Sequence, residues 1–218
     1  MSNESPPKPP LNRVRVLAAA VELADEIGIE ALTIRRLASV LGVGPMSIYH
    51  HVPSKDEIVD GMVDVVFTEI ALPPEDLDWR AAMKVRCSSA REALARHRWA
   101  APLMESRMSP GPANLRHHDA VLGCLLRGGL SLPMVAHAYA AIDAFVYGFA
   151  FSEANLPDLS DGGFGEAAEE VAAAFSPDDY PSLVTFTVEH VLQPDYDFGA
   201  SFDFGLDLIL DGLERANG

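Results

Sequence analysis

The sequence predicts an all-α fold, on three observations. Short capped segments flank a glycine between Thr33 and Lys55, apolar residues recur with helical spacing through most of the remainder, and the one alternating run, Val184 to Val188, has no partner strand. At 218 residues and 49% hydrophobic composition the chain can bury a substantial core, as one large or two small domains.

Residues 1–10, rich in proline and without the apolar run of a signal peptide, read as a disordered arm. Helix one is expected from about Asn12, an N-cap residue, to Gly28, a C′ residue. Its apolar residues form two adjacent stripes, one of Val14, Leu17, Val21 and Ala24, the other of Val16, Ala20, Leu23 and Ile27. Thr33 caps helix two, which turns Ile34, Leu37, Ala38 and Leu41 inward and Arg35 and Arg36 toward solvent. Ala38 lets two helices approach, Gly42 supplies a left-handed turn, and Ile48 locks the next helix in place. Gly44 and Pro45 open helix three as cap and first-turn proline, and Pro53 disfavours helix at Val52. Residues of about 34–53 thus read as a helix-turn-helix, whose second helix would lie in a DNA major groove. The same spacing also suits an αα-hairpin in another kind of helical protein.

Ser54 to Glu57 is a capping box for helix four, expected through about Ile70 with Ile58, Met62, Val65 and Val66 inward. Pro73 and Pro74 close the first domain. An Ala-rich helix follows from Trp79 to about His97, basic on its outer face, then short helices over Trp99 to Arg107 and Asn114 to Leu126. Ser131 caps a long apolar helix that begins with Pro133. It is apolar enough to raise a membrane span, but Pro133, His137 and Asp143 interrupt it, so a buried helix is expected and no membrane partner. Residues 155–165 read as a mobile loop, 166–175 as a short helix, and a further helix is expected from about Ser182. In the last helix, Phe202, Leu206, Ile209 and Leu213 form one stripe, widened by Phe204 and Leu208. Asp203, Asp207 and Asp211 form the only face expected to be wet. A helix so widely apolar must meet its own core and something else. With the close-approach residues Ala144, Gly148 and Ala150, it suggests a four-helix bundle between two copies.

The formal charge of −16 weighs against nucleic acid, because Lys and Arg supply most non-specific DNA affinity. Its distribution answers this in part. Residues 1–60 hold six Lys/Arg against eight Asp/Glu, a net of −2, which leaves −14 on residues 61–218. Cys87 and Cys124 form no CxxC and read as reduced core residues, in keeping with the cytoplasm. No His has a Glu three residues before it, and no HExxH or GxSxG is present, so no catalytic or metal residues and no cofactor are expected. His117 and His118 are neighbours on a helix, diverge by about 100°, and do not share an ion easily.

The chain resembles the tetracycline-repressor (TetR) family of bacterial regulators over nearly its whole length. Leu11 to Lys55 carries the most specific part, especially Leu41-Gly-Val-Gly-Pro-Met-Ser-Ile-Tyr-His-His-Val52. Trp79 to about Arg98, Gly129-Leu-Ser-Leu and Phe145-Val-Tyr-Gly148 are similar to the ligand-binding core of the tetracycline-repressor branch, and Phe202 to Glu214 to its dimerising last helix. The resemblance implies an all-α homodimer: a DNA-binding domain over 11–72 and a ligand-binding, dimerising domain over 73–218. Two recognition helices about 34 Å apart would read a palindromic operator in double-stranded DNA. The implied function is a repressor released by a small molecule, with an activator of the same fold, or an enzyme using the helical pocket, as the alternatives.

Carried over by position, Arg35 matches a base-reading arginine, and Pro45, Met46 and Ser47 lie in the exposed first turn of the recognition helix. Pro45 replaces the branch's glutamine, so a different operator is expected. Tyr49, His51 and Lys55 match phosphate-binding positions, and Thr33 can offer its hydroxyl or backbone N–H at a helix start; Tyr49 could instead, or also, pack between helices one and three, and the direction of His50 is open. Where the branch grips magnesium-bound tetracycline, this chain has Ala71, Arg86, Ala90 and Met104, so another inducer is implied. Phe67, Met83, Arg86, Cys87, Met104, Met108, Phe145 and Phe149 are candidates for its pocket or for core packing, and Arg86 suggests an anionic or carbonyl group on the ligand. Ala144, Gly148, Phe202, Leu206, Ile209 and Leu213 are the expected dimer interface.

Overall fold

The computed structural model describes residues 10–106, 109–156, 176–193 and 195–217. Within them every regular element is helical. The first four helices are α1 (Arg13–Ile27), α2 (Ile34–Leu41), α3 (Pro45–Tyr49) and α4 (Lys55–Glu69). Then come α5 (Trp79–Arg96), α6 (Ala100–Ser106), α7 (Pro112–Arg127) and α8 (Leu132–Ala154). The chain ends with α9 (Pro181–Phe186), which widens into a π turn over Thr187–Val191, and α10 (Ala200–Asn217). The alternating run at Val184 to Val188 is therefore helical, as expected for a segment with no strand to pair with. The expected N-terminal arm, apart from Pro10, most of the 155–165 loop and the 166–175 helix lie outside the described residues.

Helices α1 to α3 with the start of α4, the candidate DNA-reading head, are specified by local caps. The Asn12 side chain accepts from the Arg15 N–H at 2.9 Å, Thr33 Oγ1 from Arg36 at 3.3 Å and Ser54 Oγ from Glu57 at 3.1 Å, each satisfying a donor that the helix start leaves open. Gly42 ends α2 at φ 69°, ψ 37°, the left-handed conformation that glycine adopts without strain. Leu37, Ala38, Ile48 and Val52 are buried around that turn. Two expectations for α1 fail at its ends, where Val14 and Ile27 are exposed. Gly61 permits the tight α1–α4 approach, since a Cβ there would sit 2.7 Å from the Leu17 methyls.

Helix α4 is the connector. It packs on α1 on one side and on α5, α6 and α7 on the other. Asp64 on α4 accepts from the Ala113 and Asn114 N–H groups, both at 2.9 Å, and so caps α7 from another helix. Helix α8 is long and apolar enough to cross a membrane, but it packs against α5, α6, α7 and α10 and carries Asp143 in an ion pair.

The terminal helix corrects the sequence reading. Phe202, Leu206 and Leu213 are buried within their own chain and Ile209 is half-buried, with Phe202 stacked on Phe145 at 5.4 Å. A Cβ at Gly205 would lie 2.7 Å from that Phe145 ring, so the glycine makes room for it. The exposed apolar residues are instead Phe204 (69%), Leu208 (54%) and Phe151 of α8 (52%). Nor is the acidic face simply wet: Asp207 pairs with Lys84, and Asp211 and Glu214 with Arg80, all across to α5.

Candidate DNA-reading surface and ligand cavity

On the reading head, Thr33, Arg35, Pro45, Met46, Tyr49, His50, His51 and Lys55 are exposed, and Ser47 is half-exposed. Arg35 and Arg36 are both exposed, as expected, and Arg36 also donates to the Ala31 carbonyl at 3.0 Å. Met46 is 70% exposed, a large apolar side chain held out at the start of a helix whose opposite side carries fully buried Ile48. The head thus exposes one large apolar group and one guanidinium together with hydroxyl and imidazole groups. It suits base edges flanked by phosphates.

Behind α4 lies a cavity of about 500 Å³, walled by α4, α6, α7, α8 and the turn before α7. Phe67, Met104, Pro110, Leu115, Ala140 and Ala144 supply apolar wall; Asn114, His118, Tyr139, Asp143 and Tyr147 supply polar wall. Of the pocket residues expected from sequence, Phe67 and Met104 line it. Met83, Arg86 and Cys87 are fully buried behind it. Phe145 and Phe149 turn to the other side of α8, onto Phe198 and Phe202, because the terminal helix offers them an aromatic cluster there. Met108 lies outside the described residues. Ala144, expected at the dimer interface, is exposed and lines the cavity, while Gly148 is exposed with nothing near its Cβ position.

Arg86 corrects the expected ligand chemistry. It is 1% exposed, and its Nη1 lies 2.8 Å from Asp143 Oδ1. Burial alone would weaken its hold on the proton, but Asp143, with Tyr147 and Cys87 adding to it, more than offsets burial and keeps the guanidinium charged. The cation is thus matched within the protein and is not offered to an anionic ligand. Burial also pushes the Cys87 thiol up to about 11, which keeps it an unreactive core residue. His117 is buried against Phe67 at 5.5 Å between ring centroids, with Nε2 unpartnered. Burial, and then Arg86 and His118, lower it to about 3, so it is neutral. His118 points instead to the cavity and bonds the Tyr139 hydroxyl. Burial and Asp143 raise Tyr139 far above the ordinary tyrosine range, so the phenol keeps its proton. Asn114 Oδ1 is a buried acceptor with no protein donor.

The polar wall was missed in the sequence, though one signal was present. Tyr139, Asp143 and Tyr147 recur at intervals of four in a mostly apolar helix, which places all three on one face.

A helix-turn-helix head joined by one helix to a larger helical domain with an open cavity is the arrangement of a ligand-responsive regulator. Comparisons identify the class. The family described as bacterial regulatory proteins, tetR family, matches residues 16–62, and the tetracyclin repressor-like C-terminal domain matches residues 72–216. The HTH-type transcriptional repressor DrrR1 of Streptomyces coeruleorubidus is 38% identical, over 95% of this chain and 79% of its own. The class C tetracycline repressor protein of Escherichia coli is 31% identical, over 94% of this chain and 91% of its own. The structure of ActR from Streptomyces coelicolor in complex with actinorhodin is similar at a TM-score of 0.79 and 28% identity, covering 96% of this chain and all of that one. The chain belongs to the TetR family of transcriptional regulators.

Proposed function

We propose that the chain is a cytoplasmic repressor that binds a palindromic operator as a homodimer and is released when a small molecule other than tetracycline enters the α4–α8 cavity. One observation carries this reading. Helix α4 begins with Lys55 at the DNA-reading surface and, about 18 Å further along, carries Phe67 in the cavity wall. A ligand that favours one position of Phe67 therefore favours one tilt of α4 and one separation of the two recognition helices. Only its differential affinity for the two states can drive release.

In this reading residues 11–72 are the DNA-binding domain and 73–218 bind ligand and partner. Arg35 and Met46 read bases; Thr33, Tyr49, His51 and Lys55 hold phosphates. The partner copy packs on Ala144 and Gly148 of α8 together with Phe151, Phe204 and Leu208, the apolar residues left open by one chain. The ligand is a mostly apolar molecule that presents hydrogen-bond donors to Asn114 and Asp143, in place of the anion that an unpaired Arg86 would have suited. ActR, a relative of similar fold, has been crystallised with actinorhodin, which supports an organic ligand in a domain of this shape.

Selection of bound duplexes from a random pool tests the DNA reading, with a symmetric consensus expected and a lack of enrichment overturning it. Arg35→Ala is expected to relax discrimination at one position of each half-site by about 1–3 kcal/mol. A uniform loss on all duplexes would make Arg35 a phosphate contact instead. Reporter output with and without the protein separates repression from activation.

A further inference from the structure

Where the reading head meets the larger domain, four helix ends converge on one histidine. His97 follows the last residue of α5 and is 6% exposed. Its Nδ1 lies 2.9 Å from both carboxylate oxygens of Asp25, near the end of α1, and its Nε2 lies 3.1 Å from Glu69 Oε2, at the end of α4. Arg96 Nη2 reaches the same Glu69 oxygen at 2.8 Å. Trp99, just before α6, donates its indole N–H to Asp25 at 2.7 Å and sets its ring 6.1 Å from the imidazole.

The chemistry of this cluster constrains the proton count. An ionised carboxylate only accepts, and a neutral imidazole has one N–H to give. Two ring nitrogens within bonding distance of two different carboxylates are both satisfied only when the ring carries both protons. The charged groups facing it are Asp25 from α1, Glu69 from α4 and, through Glu69, Arg96 from α5 itself. The Glu69 carboxyl fits this arrangement: burial would raise it, yet Arg96 and His97 together hold it below the usual carboxylate value.

We propose that His97 is a proton-dependent pin that positions the reading head, holding Asp25 of α1 and Glu69 of α4 together when doubly protonated and releasing one of them on losing a proton. The pin sits beside the route of the ligand signal. Glu69 lies two residues beyond Phe67, and Trp99 five residues before Met104, and both Phe67 and Met104 wall the cavity. Proton and ligand then act on the same two helices. The regulatory meaning of the pin rests on the proposed function; its existence as a proton-dependent contact does not. The sign follows from which form is held. Only the ring that carries both protons bonds both carboxylates, so docking of the head is tight at low pH and loosens as pH rises.

Hydrogen exchange of the full-length chain, without DNA or ligand, tests this at about pH 6 and about pH 8. Rates are corrected for the intrinsic pH dependence of amide exchange. Amides of the second half of α1 and the last turn of α4 are expected to exchange about tenfold faster at the higher pH, the factor that one lost charge-assisted hydrogen bond supplies. His97→Gln is expected to abolish the pH difference and exchange fast at both values. Absence of the difference in the natural chain, or its persistence in His97→Gln, overturns the proposal. Should His97→Gln lose its helical circular dichroism, Asp25→Asn takes the same test, since it keeps an acceptor for Trp99 while removing the charge that favours the imidazolium. A chain that selected no operator would leave this result standing, and an operator-binding chain with no pH difference would overturn the pin alone.

Discussion

Helix α5 carries two kinds of ion pair, and they teach different things about this fold. On its inner face Arg86 meets Asp143 of α8 at 2.8 Å in a nearly solvent-free site. On its outer face Arg80 and Lys84 reach Asp211, Glu214 and Asp207 of α10, and those carboxylates remain substantially exposed. The inner pair sets the chemistry of the cavity floor, because two buried charges are held against each other there. The outer pairs clip down a helix that Phe202, Leu206 and Leu210 already anchor. The same residue types therefore decide a site in one place and trim an orientation in the other.

The sharpest way to break this comparison is to remove one member of the inner pair. Asp143→Ala leaves a guanidinium buried without its carboxylate and is expected to cost about 3–5 kcal/mol in denaturant unfolding. The double substitution Arg86→Met with Asp143→Leu is expected to recover most of that loss, since it removes both charges and keeps volume. A cost below about 1 kcal/mol for Asp143→Ala would place the inner pair in the same class as the outer ones.

A second effect concerns the neutral histidine beside that pair. His117 is lowered to about 3 by burial, Arg86 and His118, while an unfolded histidine titrates near the ordinary ~6.5. The unfolded chain thus takes up a proton first as pH falls. Stability from this group is complete above about 6.5 and declines as pH drops toward 3. His117→Leu, which forfeits no hydrogen bond at Nε2, is expected to flatten that acid limb in urea titrations by roughly a few kcal/mol. An unchanged limb would mean that His117 charges without cost.

How much of this was legible follows from how far apart the determinants lie. Each turn of the reading head is specified within four residues: Asn12 with Arg15, Thr33 with Arg36, Gly42 itself, Ser54 with Glu57. Such signals are local and survive in a bare sequence. The cavity draws its wall from α4, α6, α7 and α8, and pairing Arg86 with Asp143 joins residues 57 positions apart, so no spacing rule announces it. Asp143 reads in sequence as a mere interruption of an apolar helix. On α10 the difficulty is of another kind. Phe202 with Leu206 and Phe204 with Leu208 are both apolar stripes, and periodicity alone does not say which one the chain keeps for itself.

Between the two classes of ion pair stands a charge that bonds only backbone. Asp64 of α4 caps α7 through the Ala113 and Asn114 N–H groups, and Gly111 leaves it room, since a Cβ there would lie 2.2 Å from its Cγ. Asp64→Ala is expected to cost about 1–2 kcal/mol, the range of a lost N-cap, with Asp64→Asn recovering part of it as a neutral acceptor. Equal losses for Ala and Asn in thermal unfolding would show that charge, not the cap geometry, carries the contact.

The smallest effect is expected where the comparison predicts least. Lys84→Ala removes the clip to Asp207, whose two side chains are 46% and 43% exposed. Water and salt already screen such a pair, and holding a long lysine in one rotamer offsets part of the Coulomb gain. The expected cost is below about 1 kcal/mol and shrinks as salt rises from about 0.05 to 0.5 M. Salt should leave Asp143→Ala nearly unchanged over the same range, because the inner pair is out of reach of mobile ions. If the two variants respond to salt alike, burial is not what separates the inner face of α5 from the outer one.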